Sequence, residues 1–215
     1  MKNSRVIIVE NSSTTPRRRG RPPAFDRNQV LARAAETFWR LGYEGASIAD
    51  LTEAMGITAQ SLYAAFGSKA DLYKEALVHY RQTAGAFTAR ALTEEGNAAD
   101  AFVRLLRESA REFCTAGRPQ GCMISTATLA CASENQPVAD HVAGLRAGAL
   151  AAFRDRIERG IAEGHFRPDT DAAALARYLG AIIQGMSVQA RDGASEEELA
   201  SLAAIAGAEV NRHRP

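Results

Sequence analysis

The sequence has 215 residues, of which 46% are hydrophobic, an ordinary composition for a globular protein that buries a sizeable core. Its apolar runs fall short of the roughly 18 to 20 residues that cross a bilayer, and the early stretch Val6-Ile7-Ile8-Val9 is too short for a signal peptide. The composition therefore excludes a transmembrane protein and predicts a cytoplasmic one without a membrane partner.

The net charge of +1 is divided unevenly along the chain. Residues 1–27 contain seven lysines and arginines against two acidic residues, so they carry +5 and the remainder carries −4. This asymmetry is typical of a basic arm on a weakly acidic body and indicates a polyanionic partner. A solubilising disordered tail explains it equally well.

Residues 1–25 are predicted to form a disordered basic arm, since a Ser/Thr/Pro-rich stretch and an arginine cluster bury too little apolar surface to offset their ordering entropy. The cluster consists of Arg17, Arg18, Arg19 and Arg21. Such an arm can reach into the DNA minor groove, as homeodomain arms do. A nonspecific tether to phosphates is an equally good interpretation.

Residues 26–75 are predicted to form three helices, followed by the start of a longer fourth one, with clear start and stop signals. Asp26 or Asn28 can cap the first helix, whose two apolar stripes run at helical spacing until Gly42. The next two helices are short, separated by Gly56, and preceded by Ser47 and Thr58 as capping residues. A third cap, Ser68, opens a longer helix at Lys69. Two short helices around a glycine turn predict a helix-turn-helix.

In a helix-turn-helix, the N-terminal residues of the second helix face base edges in the major groove. Here they are small or polar: Thr58, Ala59, Gln60 and Ser61. We expect Gln60 to bond an adenine edge and Ala59 to touch a thymine methyl. Contacts that position the protein on phosphates are predicted from the Tyr63 hydroxyl, Lys69 and the free amides near Ser47 and Ser68.

This segment resembles the tetracycline-repressor (TetR) family of bacterial regulators over about residues 28–75. The resemblance is carried by Phe38-x-x-x-Gly42-Tyr43, Ser47-Ile48, Met55-Gly56-Ile57-Thr58 and Leu62-Tyr63-Ala64-Ala65-Phe66-Gly67-Ser68-Lys69. It implies that Gln60 and its neighbours contact bases while Tyr63 and Lys69 hold the DNA backbone. Ala65 replaces a histidine that is frequent in the family, so that phosphate contact is absent. The resemblance also implies a C-terminal region that dimerises and often encloses a ligand cavity.

Residues 76–215 are predicted to be an alanine-rich helical effector-binding and dimerisation domain, which makes the fold all-α. We expect helices near 98–116, 122–133, 136–163, 171–191 and 195–212. Two apolar stripes predict a homodimer interface of four helices, two from each subunit, although an internal core explains the stripes as well. The predicted interface residues are Leu175, Leu179, Ile182, Met186, Leu199, Leu202 and Ile205.

A cavity for a small-molecule effector is expected among the helices between roughly residues 80 and 186, although residues of these types are more often plain core than ligand contacts. The proposed lining residues are Tyr80, Phe87, Phe102, Phe113, Met123, Tyr178 and Gln184. No motif identifies the effector.

The three cysteines, Cys114, Cys122 and Cys131, show no CxxC spacing and no histidine at zinc-site spacing, so we expect no metal or cofactor. Sequence motifs of hydrolases and nucleotide-binding enzymes are also lacking, so an enzyme is not expected. Cys122 is predicted to open a helix, where a thiol is readily oxidised; a small buried hydrophobe is the alternative.

These observations predict a transcriptional regulator, most simply a repressor. A dimer would bind a palindromic operator in double-stranded DNA and be released by a small-molecule effector. The alternative keeps the DNA binding but replaces the effector with oxidation of Cys122.

Overall fold

The computed structural model describes residues 25–215, which form nine α-helices and one short 3-10 turn with no strand in that range. The helices are α1 (Arg27–Gly45), α2 (Ile48–Met55), α3 (Ala59–Phe66), α4 (Lys69–Gln82), α5 (Ala86–Glu94), α6 (Ala98–Phe113), α7 (Gln136–Ala162), α8 (Ala172–Arg191) and α9 (Glu196–Arg212). The all-α prediction is therefore confirmed.

Across residues 25–215, the longest and most apolar helices still fall short of what a membrane crossing requires. The arginine cluster of the predicted basic arm, Arg17, Arg18, Arg19 and Arg21, lies outside the described residues.

The first four helices begin at the residues that the capping signals predicted. Asp26 caps α1 through bonds from the amides of Asn28 and Gln29, and Ser47 forms a reciprocal capping box with Asp50 at the start of α2. Thr58 and Ser68 cap α3 and α4 by accepting from the third amide of each helix.

Gly56 ends α2 with a left-handed backbone (φ 69°, ψ 31°), a conformation that costs a residue with a Cβ about 1–2 kcal/mol. The turn that separates α2 from α3 therefore depends on this glycine. Gly42 also has a positive φ and interrupts α1 three residues before its end.

Helices α1, α2, α3 and α4 share one apolar core. Phe38, Leu51, Leu62 and Tyr73 are almost fully buried within it, and the Phe38 and Tyr73 rings meet edge to face at 4.9 Å. The same core continues into Met123, Ala127, Val138 and Val142, which come from a later part of the chain. The part of the chain that follows α6 thus contributes to the core of the first four helices.

A second core lies in the helical body, where α6 packs against α5, α7, α8 and α9. Phe102, Leu105 and Phe113 of α6 are buried at its centre. The observed α6 to α9 match the predicted helices within three residues at each end. Helix α5 was not predicted as a separate element.

The prediction of a helix over 122–133 is wrong. Residues 123–130 form successive turns and bends, followed by a 3-10 turn at Ser133–Asn135. Residues of α7 and α8 bind backbone groups of this stretch, including two carbonyls that helical hydrogen bonds would otherwise use. The Cys122 amide donates to Ser187 Oγ (2.7 Å), and Arg146 donates to the carbonyls of Ile124 (3.3 Å) and Ala127 (2.8 Å).

We call residues 121–130 the bridging segment. At its start, Gly121 (φ 73°) packs so closely on α8 that a Cβ would lie 2.5 Å from the Ser187 carbonyl oxygen. Just beyond its end, the Glu44 carboxylate of α1 accepts from the Ala132 amide (3.0 Å) and from Asn135 Nδ2 (2.8 Å). These bonds lower the pKa of Glu44.

Candidate functional site

Helix α3 presents one face to the core and the other to solvent. Leu62 and Phe66 are buried on the inner face, whereas Ala59, Gln60 and Tyr63 are exposed, Tyr63 to 47%. The Gln60 side chain makes no hydrogen bond to any residue in 25–215. An exposed amide without a partner, at the first turn of a helix, is free to bond a base edge.

The capping residues of α3 also engage each other. Ser61 N donates to Thr58 Oγ1 (3.2 Å), and the Thr58 hydroxyl lies 3.0 Å from Ser61 Oγ. The two hydroxyls therefore fix the start of the helix, while the side chains of Ala59 and Gln60 between them form no hydrogen bond within residues 25–215. The backbone at Gln60 is thus held in the first helical turn by its neighbours.

Lys69 lies at the start of α4, with Nζ 4.6 Å from the centre of the Tyr43 ring. Partial burial lowers the pKa of Lys69, and the nearby carboxylates of Glu44 and Asp50 oppose that shift. The Ser68 side chain caps the same helix end. A cation beside the free amides of a capped helix start suits a phosphate oxygen.

Arg27 is a positioning residue that sequence reasoning missed. Its guanidinium lies 4.5 Å from the centre of the Phe66 ring at the end of α3 and bonds Glu75 of α4 at 2.8 Å. Arg27 thereby ties α3 to α1 and α4. The only sequence signal was its position immediately after the Asp26 cap.

A cavity of about 600 Å³ lies between α4, α5, α6, α7, α8 and the bridging segment. Four of the seven predicted lining residues border it: Tyr80, Phe87, Phe113 and Gln184. Phe102 and Tyr178 do not line it, and Met123 points to a separate groove of about 330 Å³ beside Trp39. Phe102 is instead fully buried in the α6 core, against Phe153. Those three predictions of lining residues are wrong.

The bridging segment forms a wall shared by the cavity and the helix-turn-helix core. Cys122, Ile124 and Ser125 line the cavity, whereas Met123 and Ala127 are buried against the core of α1 and α4. The same short segment therefore contacts both the cavity and the helix-turn-helix core.

Helix α8 provides a second connection between the two cores. The Arg191 guanidinium at its end donates to the carbonyls of Trp39 (3.1 Å) and Arg40 (3.3 Å) in α1. One turn earlier, buried Ser187 holds the bridging segment. Sequence patterns gave no signal for either contact, since both depend on residues far apart in the chain.

Cys122 lies in irregular structure just before a turn and not at a helix start, so the predicted helix start that would activate its thiol is wrong. Its side chain is half-buried beside Tyr80, and burial together with Cys122 raises the pKa of the Tyr80 hydroxyl well above its ordinary value. Within residues 25–215, no group of His, Cys, Asp and Glu is arranged to hold a metal ion.

The predicted dimer-interface residues are mostly buried inside the chain itself. Leu175, Leu179, Met186 and Leu199 are 0–4% exposed within the core of the body, so the prediction is wrong for these four. Their apolar stripes face α6 and one another because a single chain already packs them. Ile182 and Leu202 are partly buried, whereas Ile205 is 69% exposed.

Comparison with known protein families assigns the helix-turn-helix part of the chain and its helical body to one and the same family. Residues 30–76 match the description "Bacterial regulatory proteins, tetR family", and residues 100–205 match "Tetracyclin repressor-like, C-terminal domain".

Two curated relatives from Escherichia coli (strain K12) align over nearly the whole chain. The HTH-type transcriptional repressor ComR is 32% identical, covering 92% of this chain and 94% of its own. The HTH-type transcriptional repressor BdcR is 30% identical, covering 94% and 95%.

Among solved structures, a cysteine mutant of the TetR family transcriptional regulator CifR, complexed with 26-base-pair double-strand operator DNA, has a TM-score of 0.85. It is 41% identical and covers 87% of this chain and 98% of that one. The chain is therefore a member of the TetR family of bacterial transcriptional regulators.

Proposed function

We propose that the protein is a repressor that binds a palindromic operator as a homodimer and is released by a small-molecule effector. The observation that carries this proposal is the exposed first turn of α3, where Ala59 and Gln60 are uncommitted while Leu62 and Phe66 anchor the helix from below. The similar repressors ComR and BdcR, and the operator complex of CifR, support the same role.

In this proposal Gln60 and Ala59 contact bases, while Thr58 and Ser61 fix the helix start beside them. The Tyr63 hydroxyl, Lys69 and the amides after Ser47 and Ser68 hold phosphates, which set position without reading sequence. The predicted arm, with Arg17, Arg18, Arg19 and Arg21, adds minor-groove or phosphate contacts.

Dimerisation uses the exposed side of α8 and α9 in this proposal. Ile205 is 69% exposed on α9, and Val188 is 44% exposed on α8. On α8, Ile182 and Gly185 are also only partly buried. Apolar side chains next to small residues on two adjacent helices are suited to packing against their own copies in an isologous interface.

The effector occupies the 600 Å³ cavity, whose size falls within the range of small-molecule sites. Because the bridging segment and Tyr80 of α4 border both the cavity and the α1–α4 core, a ligand that favours one arrangement of this wall shifts the spacing of the two α3 helices. Release from DNA requires only that the effector bind the two arrangements unequally.

The proposal is tested by titrating labelled DNA from upstream of the protein's own coding sequence, with a scrambled duplex of equal length as the control. We expect the upstream DNA to bind at least about a thousandfold more tightly, and affinity for both duplexes to fall steeply with added salt. Equal affinity for the two duplexes would reduce the protein to a nonspecific DNA binder.

A further inference from the structure

We infer that the cavity accepts an apolar molecule carrying one anionic group, such as a carboxylate, and that Arg146 binds this group. The inference rests on the proposed effector role of the cavity and adds the chemical class of the ligand.

The charged residues that line the cavity are both arginines, Arg81 and Arg146, and no carboxylate lies among the lining residues described. The rest of the wall is apolar or neutral, with Phe87, Phe113 and Phe153 among its larger members. A cationic ligand would meet two like charges here and find no acidic partner.

Arg146 is the cation best placed to bind the ligand, because it is half-buried whereas Arg81 is exposed. Water screens a charge at Arg81, while a partly buried guanidinium interacts more strongly. Neither arginine forms an ion pair with a carboxylate in residues 25–215, although thirteen arginine–carboxylate pairs occur in that range.

The guanidinium of Arg146 is only partly used. One terminal nitrogen, Nη1, donates to the carbonyls of Ile124 (3.3 Å) and Ala127 (2.8 Å). Its Nη2 and Nε bond no residue within 25–215. Two donors on one planar guanidinium match a carboxylate in fork geometry.

The cavity opens to solvent along α7. Gly144, Gly148, Ala149 and Ala152 are exposed and also line the cavity, so small residues leave an entrance close to Arg146. An amphipathic anion can therefore enter with its apolar body directed to the phenylalanines.

This assignment also links the ligand to regulation. The carbonyls that Arg146 holds belong to the bridging segment, and Ala127 lies in the helix-turn-helix core. An anion bound to Nη2 and Nε shares its guanidinium with the carbonyls bonded to Nη1, so its position is coupled to the wall between the cavity and α1–α4.

The test uses three probes with one carbon skeleton and different charge: 4-phenylbutyrate, 4-phenylbutan-1-ol and 4-phenylbutylamine. Binding to the full-length protein without DNA is measured by calorimetry. We expect the carboxylate to bind at least about tenfold more tightly than the alcohol or the amine, as a charge-assisted hydrogen bond provides.

Arg146→Gln should abolish the preference for the carboxylate over the alcohol while leaving the affinity for the alcohol within about twofold. Arg146→Lys should retain part of the preference, which keeps the test decisive if Arg146→Gln does not fold. The matched control is Arg154→Gln, on the same helix but outside the cavity lining, and it should leave the preference intact.

Equal binding of the three probes, binding of none of them, or a carboxylate preference that survives Arg146→Gln would overturn the inference. Because these measurements contain no DNA, they are independent of operator binding. Loss of sequence-specific DNA binding would contradict the proposed function while leaving the ligand assignment standing.

Discussion

Gln60 is the residue on which base reading depends in this account. Its side chain is exposed and unbonded within the described residues, while Thr58 and Ser61 fix the turn of helix around it. A glutamine amide in that position discriminates among bases by its paired donor and acceptor.

Replacing Gln60 by alanine should therefore relax preference at a single base position in each half-site, by about 1–3 kcal/mol. Affinity is measured for a panel of operators with each base pair varied in turn. Gln136→Ala, an exposed glutamine at the start of α7, serves as the control and should leave every position unchanged. An unaltered base profile in the Gln60 variant would show that α3 does not read sequence.

At the scale of the element, the short helices α2 and α3 are stabilised by their capping residues as well as by burial. Ser47 and Asp50 satisfy two amides reciprocally at the start of α2. Hydrogen bonds from Ser47 lower the pKa of Asp50 below its ordinary 3.8. A carboxylate with a lowered pKa stabilises the fold above its ordinary value, and that stabilisation is lost as pH falls towards the lowered one.

Ser47→Ala should lower the free energy of unfolding by about 1 kcal/mol and Tm by about 2–4 °C at neutral pH. The difference from wild type should shrink as pH falls below 3.8, because Asp50 becomes protonated. Thermal unfolding at a series of pH values measures both effects. Ser133→Ala, at an exposed serine that caps nothing, is the control; an equal loss in both variants would argue against the capping box.

The bridging segment permits a second test at this scale. Gly121 and Gly117 both have positive φ, but a Cβ at Gly121 would collide with the Ser187 backbone whereas a Cβ at Gly117 would meet nothing within 4 Å. Gly117→Ala should lower the free energy of unfolding by about 1–2 kcal/mol, because alanine is strained at a positive φ. Gly121→Ala should lower it by roughly 1–3 kcal/mol more than Gly117→Ala does, because its Cβ also overpacks against α8.

Urea unfolding of the two glycine variants measures this difference. If both lost the same free energy, the close packing of the bridging segment on α8 would not contribute to stability.

The start of each of the first four helices was predictable because capping is local: Asp26, Ser47, Thr58 and Ser68 each bond amides two or three residues away. The bridging segment was not predictable, since Ser187 and Arg146 lie far along the chain from the groups that they bind. The apolar stripe of α8 was visible in sequence, yet periodicity does not distinguish burial against α6 from burial against a partner. For that reason Leu175 and Leu179 were assigned to the wrong surface.

At the scale of the whole molecule, the proposed operator binding requires two copies, since two symmetric half-sites would be read by two recognition helices. Ile205→Arg places a charge on the proposed interface, where Ile205 is 69% exposed in one chain. We expect a folded monomer by sedimentation and a loss of operator affinity of about 100-fold or more.

Val78→Arg is the matched control, because Val78 is an exposed apolar residue (51%) on α4 and belongs to neither α8 nor α9. It should remain dimeric. A dimer that persists in the Ile205 variant would place the interface elsewhere.

The central claim, that α3 lies in the major groove with a symmetry-related copy beside it, is tested most directly by a hydroxyl-radical footprint on the operator. The account predicts two protected half-sites related by two-fold symmetry, with centres about one helical turn (roughly 10 base pairs) or a whole multiple of it apart. Protection confined to a single half-site, or spread evenly along the duplex, would contradict it.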